Sequence, residues 1–108
     1  MVVGARAIAV DGDGFLRDRD EWDTEVAAAL AAQEGIELTP AHLEVIQLLR
    51  QFHAEFQLSP AMRPLVKYVG SHLGADKGKS IYLLTLFPGS PAKLASKLAG
   101  LPKPDNCL

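Results

Sequence analysis

At 108 residues, 48% apolar and 22% charged, the chain fits a single globular domain and lacks the composition of a disordered protein. No run approaches the roughly 20 apolar residues that a bilayer crossing needs, and the N-terminal stretch is too short for a secretory signal. A soluble, cytosolic domain without membrane association is expected. The single cysteine, Cys107, excludes an internal disulfide and a Cys-rich zinc site. The net charge of −2 argues against a generic nucleic-acid binder, yet it hides an asymmetry. Residues 1–55 carry four basic and eleven acidic side chains, a net of −7; residues 56–108 carry seven basic and two acidic, a net of +5. The split fits either a basic face for an acidic partner or ordinary solvation of surface helices.

In chain order, residues 7–10 and 15–18 flank Asp11-Gly12-Asp13-Gly14, whose Asp-Gly steps predict a small β-hairpin. Asp23 is placed to cap a helix over residues 24–33, with Gly35 ending it. Thr39-Pro40 starts a second helix over residues 40–56, with Leu43, Ile46, Leu49, Phe52 and Phe56 as its buried stripe. Ser59-Pro60 repeats the device for a helix over 60–73, in which Pro64 lies near the first turn and Gly74 follows. A fourth helix is expected over 79–87 and a fifth from Ser90-Pro91 to about Leu98, with Gly100 just past its end. Two prolines prevent Leu101-Pro102-Lys103-Pro104 from continuing it. The expected fold is therefore mainly α: about five helices, an N-terminal hairpin, a helix-turn-helix-like centre and a mobile C-terminal arm. Residues 1–100 form the domain and 101–108 the arm.

Phosphate-loop, dinucleotide and nucleophile-elbow motifs are absent. His42 and His53 share a helix face but stand about 16 Å apart, too far to share a metal. They and His72 read as surface or partly buried side chains, and Trp22 as a packing anchor between hairpin and helices. The joint at residues 57–59 resembles a helix-turn-helix, with Arg63, Lys67 and Tyr68 on its second helix. Cys107 stands apart. Beyond two prolines it is hard to bury, and the stiff segment from Leu101 could span up to about 25 Å. It is either an inert surface thiol or a thiol carried to another protein's active site. Lys97 and Lys103 favour its thiolate, and the terminal carboxylate opposes it.

The strings YLLTLFPGSPAK (82–93) and KLAGLPKP (97–104), with Cys107 beside the terminus, resemble the C-terminal signature of the DsrC/TusE family. Agreement extends upstream through Asp13-Gly14-Phe15-Leu16, Trp22, Glu34-Gly35-Ile36, Leu38-Thr39, and Ser59-Pro60 with Arg63. The resemblance implies a small helical sulfur carrier with an N-terminal hairpin and a mobile arm, holding sulfur on Cys107. Members with dithiol chemistry carry a second cysteine eleven residues earlier, where this chain has Ser96. Serine cannot attack a persulfide, so the pattern is similar to the single-cysteine TusE-like branch. That branch implies a TusBCD-like sulfur donor and an MnmA-like thiouridylase acceptor acting on tRNA. Persulfide exchange needs no metal and no organic cofactor. Lys93, Lys97, Lys103 and Arg63 are candidates for docking an acidic partner or approaching tRNA. Two rival readings are a carrier in sulfur oxidation or dissimilatory sulfur metabolism, and a non-catalytic helix-turn-helix regulator, for which DNA is the less favoured partner.

Overall fold

Local capping chemistry sets most of the architecture. The computed structural model describes residues 1–104, and in it Asp23 accepts the Val26 amide at 2.9 Å to start α1 (Thr24–Gln33). Arg6 holds the same carboxylate through an ion pair at 2.9 Å. The helix ends at Gly35, with Ile36 N–H on Ala31 C=O and Gly35 N–H on Ala32 C=O, a Schellman motif.

Helix α2 (Pro40–Phe56) begins with a capping box in which histidine takes the usual Glu or Gln place. His42 Nε2 lies 2.7 Å from the Leu86 carbonyl, which can only accept, so Nε2 carries the proton. Nδ1 then accepts from the Thr39 amide and hydroxyl at 3.2 and 2.7 Å. His42 thus ties the start of α2 to Leu86, 44 positions farther along the chain. It is buried, as is His53, while His72 is exposed.

Helices α3 (Met62–Leu73), α4 (Ser80–Leu86) and α5 (Pro91–Leu98) complete the set of five. Helix α5 packs against α1, α2, α3 and α4 and is the element around which the others gather. The core joins Val26 and Leu30 of α1, Val45, Ile46 and Leu49 of α2, Leu65 and Val69 of α3, Leu83 and Phe87, and Ala95 and Leu98 of α5. No helix among the described residues is long and apolar enough to cross a membrane.

Three sequence expectations are corrected. The hairpin ladder lies upstream of its expected place: β1 (Val2–Val3) pairs with β2 (Arg6–Ala7), and the Asp-Gly turn closes only a single bridge, Val10 to Leu16. Asp11 spends its carboxylate on the Asp13 and Phe15 amides at 2.9 and 3.0 Å, which makes that turn a local loop. Helix α3 starts two residues later than expected, at an Ala61 cap without a side-chain bond. The expected cap, Ser59, is engaged elsewhere. Finally, Phe56 is 49% exposed, because the chain turns away at Gln57 (φ 60°) and no element covers the end of α2. It leans on Phe52 at 4.6 Å between ring centroids, and the buried stripe is instead Val45, Ile46, Leu48, Leu49 and Phe52.

Candidate functional site

Cys107 lies outside the described residues; what the structure describes is the foot of the segment that carries it. Gly100 adopts φ +72° at the end of α5. Leu101 N–H donates to Ser96 C=O at 3.0 Å and Gly100 N–H to Lys97 C=O at 3.1 Å. This second Schellman motif turns the chain sharply, and Leu101, its apolar member, is fully buried.

The two carbonyls left over at the helix end are taken by side chains distant in sequence. Trp22 Nε1 donates to Leu98 C=O at 2.8 Å, and Arg50 Nη1 to Ala99 C=O at 2.6 Å. The Arg50 guanidinium stacks on the Trp22 ring at 4.3 Å, so the two donors brace each other. Farther on, Ser59 Oγ donates to Pro102 C=O at 2.5 Å, and Lys103 approaches Asp13 at 3.8 Å. Leu101 and Pro104 are buried. Residues 101–104, expected as the start of the arm, therefore lie against the body. Pro104 is thus a fixed point on the body.

Removing the Ser59 hydroxyl leaves the Pro102 carbonyl without that partner. Ser59→Ala is expected to cost about 1 kcal/mol, a fall of roughly 4–8 °C in Tm. Hydrogen exchange at the Leu101 amide, which donates to Ser96 C=O, should quicken at the same time; an unchanged rate would show that the Ser59 bond does not hold the segment.

The candidate basic residues separate into two groups. Lys97 is held at 3.4 Å from Glu34 and sits over the Phe15 ring at 5.3 Å, and Lys103 faces Asp13. With Lys77 on Glu44 at 2.9 Å, these contacts fold cations of the second half onto carboxylates of the first. Part of the charge asymmetry is thus neutralised within the molecule. Arg63 and Lys93 have no ion-pair partner among the described residues. On the helix-turn-helix-like face, Arg63 and Lys67 are exposed, but Tyr68 is packed between Phe52 and His72 at 5.1 and 4.1 Å. Its hydroxyl is buried without a partner among the described residues.

Ser96 is fully buried in α5, and its hydroxyl has no hydrogen-bond partner among the described residues. Neither its chemistry nor its position lets it act as a second sulfur-handling group.

His53, Arg50 and Ser59 belong to this region, yet the sequence reading gave them no functional role. The available signal was indirect: a helix closing on Ala-Gly-Leu leaves carbonyls that need donors, and Trp and Arg supply them well. Burial, followed by the neighbouring Arg19 and Arg50, lowers the His53 pKa below the ordinary histidine value. The folded state therefore binds this proton more weakly than the unfolded chain does. The corresponding stability is complete above about pH 6.5 and declines as pH falls below it. In bis-tris chloride, Tm is expected to drop between about pH 7.5 and 5.5, and His53→Gln should flatten that drop. Equal slopes would refute the assignment. Asp11 and Asp23 do not interfere, because the Phe15 amide and Arg6 respectively hold their pKa values below the ordinary carboxylate range.

The family model described as "DsrC like protein" matches residues 2–108. The chain belongs to the DsrC/TusE family. Sulfurtransferase TusE of Salmonella paratyphi A is 45% identical over all of this chain and 99% of its own length. The Sulfurtransferase TusE homolog of Haemophilus influenzae is 54% identical, covering 94% of this chain and 93% of its own. Among solved structures, the NMR structure of Allochromatium vinosum DsrC superposes with a TM-score of 0.91 at 44% identity, spanning 100% of this chain and 96% of that one. The oxidized gamma-subunit of the dissimilatory sulfite reductase (DsrC) from Archaeoglobus fulgidus gives 0.85 at 39% identity, spanning 99% and 97%. Within the family frame, the KLAGLPKP string is the braced element just described: the end of α5, the Gly100 turn and the fixed foot.

Proposed function

We propose that this protein, a sulfur carrier of the DsrC/TusE family, accepts persulfide sulfur on Cys107 and passes it to an acceptor enzyme for 2-thiolation of the tRNA wobble uridine. The Cys107 thiolate attacks the outer sulfur of a donor persulfide, R–S–SH. A new S–S bond forms to Cys107, the donor's S–S bond breaks, and the donor leaves as a thiolate. Attack by an acceptor thiolate on the outer sulfur of Cys107–S–SH reverses the roles and restores the Cys107 thiolate. No net oxidation occurs, and the reaction needs only thiolate character and access.

The observation that carries this reading is the braced foot at Gly100 to Pro104, which anchors the segment leading to Cys107 on the body. The buried Ser96 supports it by leaving no second group for an internal disulfide. A TusBCD-like complex as donor and an MnmA-like thiouridylase as acceptor, with tRNA present, fit this place in a cytoplasmic relay. Arg63 and Lys93, having no ion-pair partner within the described residues, are the better candidates for docking; Lys97 and Lys103 would have to exchange an existing one.

The test is intact mass after incubation with a persulfide donor. Wild type should gain about 32 Da, one sulfur atom, and lose it to an acceptor thiol. Cys107→Ser should gain nothing; equal gain in that variant would end the proposal. The likeness to the A. vinosum protein supports a second reading, a carrier delivering sulfur elsewhere than to tRNA. Normal 2-thiouridine in cells lacking this protein would favour it.

A further inference from the structure

A second polar region flanks the foot of the Cys107 segment. Arg19, Arg50, His53, Ala54, Gln57 and Leu101 line a cavity of about 260 Å³. A neighbouring cavity of about 170 Å³ shares His53 and Gln57 and is closed by Ser59, Pro102 and Lys103. We propose that Arg19, Arg50 and His53 form a binding site for a tetrahedral oxyanion of the phosphate and sulfate class, set against the foot of the arm.

Three independent features meet there. First, two guanidinium groups and an imidazole line one cavity, and no carboxylate among the described residues lines it. Second, their hydrogen-bonding capacity is largely unspent. Arg50 commits Nη1 to Ala99 C=O, and its other N–H groups have no protein acceptor among the described residues. The Arg19 side chain has none either. His53 is 6% exposed, yet its ring nitrogens have no partner among the described residues. Those nitrogens are not sealed off, since the buried side-chain atoms left without a partner among the described residues are Tyr68 Oη and Ser96 Oγ; they open to the cavity, where an anion can reach them. Third, Arg50 is already fixed by the Trp22 stack and the Ala99 bond, so ordering it on binding costs little. A planar fork held in place suits the oxygens of phosphate or sulfate.

The electrostatics agree with this geometry. Burial and then Arg19 lower the Arg50 pKa, with Asp20 opposing them, while Arg19 and Arg50 both depress His53. A dianion in the cavity would relieve this repulsion and favour the imidazolium. Anion binding should therefore strengthen as pH falls.

The same chemistry is offered by a free oxyanion and by a phosphodiester of RNA. The experiment titrates the labelled full-length protein with sodium sulfate, chloride holding the ionic strength constant, and follows the His53 ring and Arg50 side-chain resonances. Sulfate stays dianionic throughout, so any pH dependence comes from the protein. Saturable shifts are expected, weakened about tenfold in Arg19→Gln, the effect of losing one charge-assisted hydrogen bond. Arg19 is exposed, so that variant keeps the fold. Affinity should rise from about pH 7.5 to 5.5, and His53→Gln should remove the rise. Shifts that never saturate, or wild-type affinity in Arg19→Gln, would overturn the site. An RNA oligonucleotide that moves the same resonances and is displaced by sulfate identifies a phosphodiester as the source. Saturation with sulfate but not RNA identifies a free oxyanion. Both results uphold the site, and neither depends on the role of Cys107.

Discussion

Replacing Gly100 by alanine is expected to lower Tm by about 10–20 °C, from a cost of roughly 2–4 kcal/mol. Two effects add. The backbone at φ +72° is one that a residue with a Cβ adopts at a cost of about 1–2 kcal/mol. The added Cβ would also stand 2.6 Å from Trp22 Cδ1 and 2.9 Å from its Cβ and Cγ. Trp22 cannot retreat without breaking its bond to Leu98 C=O and its stack with Arg50. Gly35 provides the control, since it has φ +71° but nothing within 4 Å of an added Cβ. Gly35→Ala should show the backbone cost alone, about 1 kcal/mol. Thermal melts of both variants measure the clash by difference. If the two fall equally, the Trp22 brace is not rigid. The Gly100 variant should also exchange its Leu101 amide proton faster, because the bond to Ser96 C=O belongs to the same turn.

Phe87→Ala is expected to be comparably severe, at about 3–5 kcal/mol. A small domain holds only about 5–15 kcal/mol in total, so the variant should melt at low denaturant or fail to accumulate. Phe87 is completely buried and meets the His42 ring edge-on at 5.2 Å between centroids. His42 in turn bonds Leu86 C=O and caps α2, so the cavity would loosen a helix start as well as the core. Ile81, in helix α4 just before Phe87 and 74% exposed, is the reference: Ile81→Ala should change stability by no more than about 0.5 kcal/mol. Urea unfolding of both variants decides the matter, and a Phe87→Ala loss below about 1 kcal/mol would be incompatible with this packing.

Both predictions concern residues that first drew notice as letters in a signature. Phe87 and Gly100 mark the family in the strings 82–93 and 97–104, and the structure gives each a mechanical reason. Phe87 plugs the core beneath the α4–α5 joint. Gly100 is the one residue type that can turn the chain so closely under Trp22.

The helices were legible because their signals are local. Asp23, Thr39-Pro40 and Ser90-Pro91 act within a few residues of themselves, and the corresponding helices begin where these residues place them. The reading failed where one local device competed with a distant partner. Ser59 has the sequence of a helix cap, but its hydroxyl serves Pro102, on a segment 43 positions away. The Asp-Gly loop has the sequence of a hairpin turn, but Asp11 satisfies its own neighbours, and the paired strands form upstream.

The lone cysteine, the serine at position 96 and the two prolines before Cys107 were plain from the chain itself. Composition and motif spacing suffice for these because they concern which groups exist, not where they lie. The sequence by itself thus determined the five helices, the single thiol and the family. Only the tertiary structure decided that Trp22, Arg50 and Ser59 grip the carbonyls of Leu98, Ala99 and Pro102, and that Arg19, Arg50 and His53 share one cavity. Arg19 and Trp22 stand tens of residues before Arg50, His53 and Ser59, and all five stand tens of residues before Leu98 to Pro102. Their meeting depends on how α1, α2 and the N-terminal loops pack around α5, and packing of that kind leaves no periodic trace in the sequence.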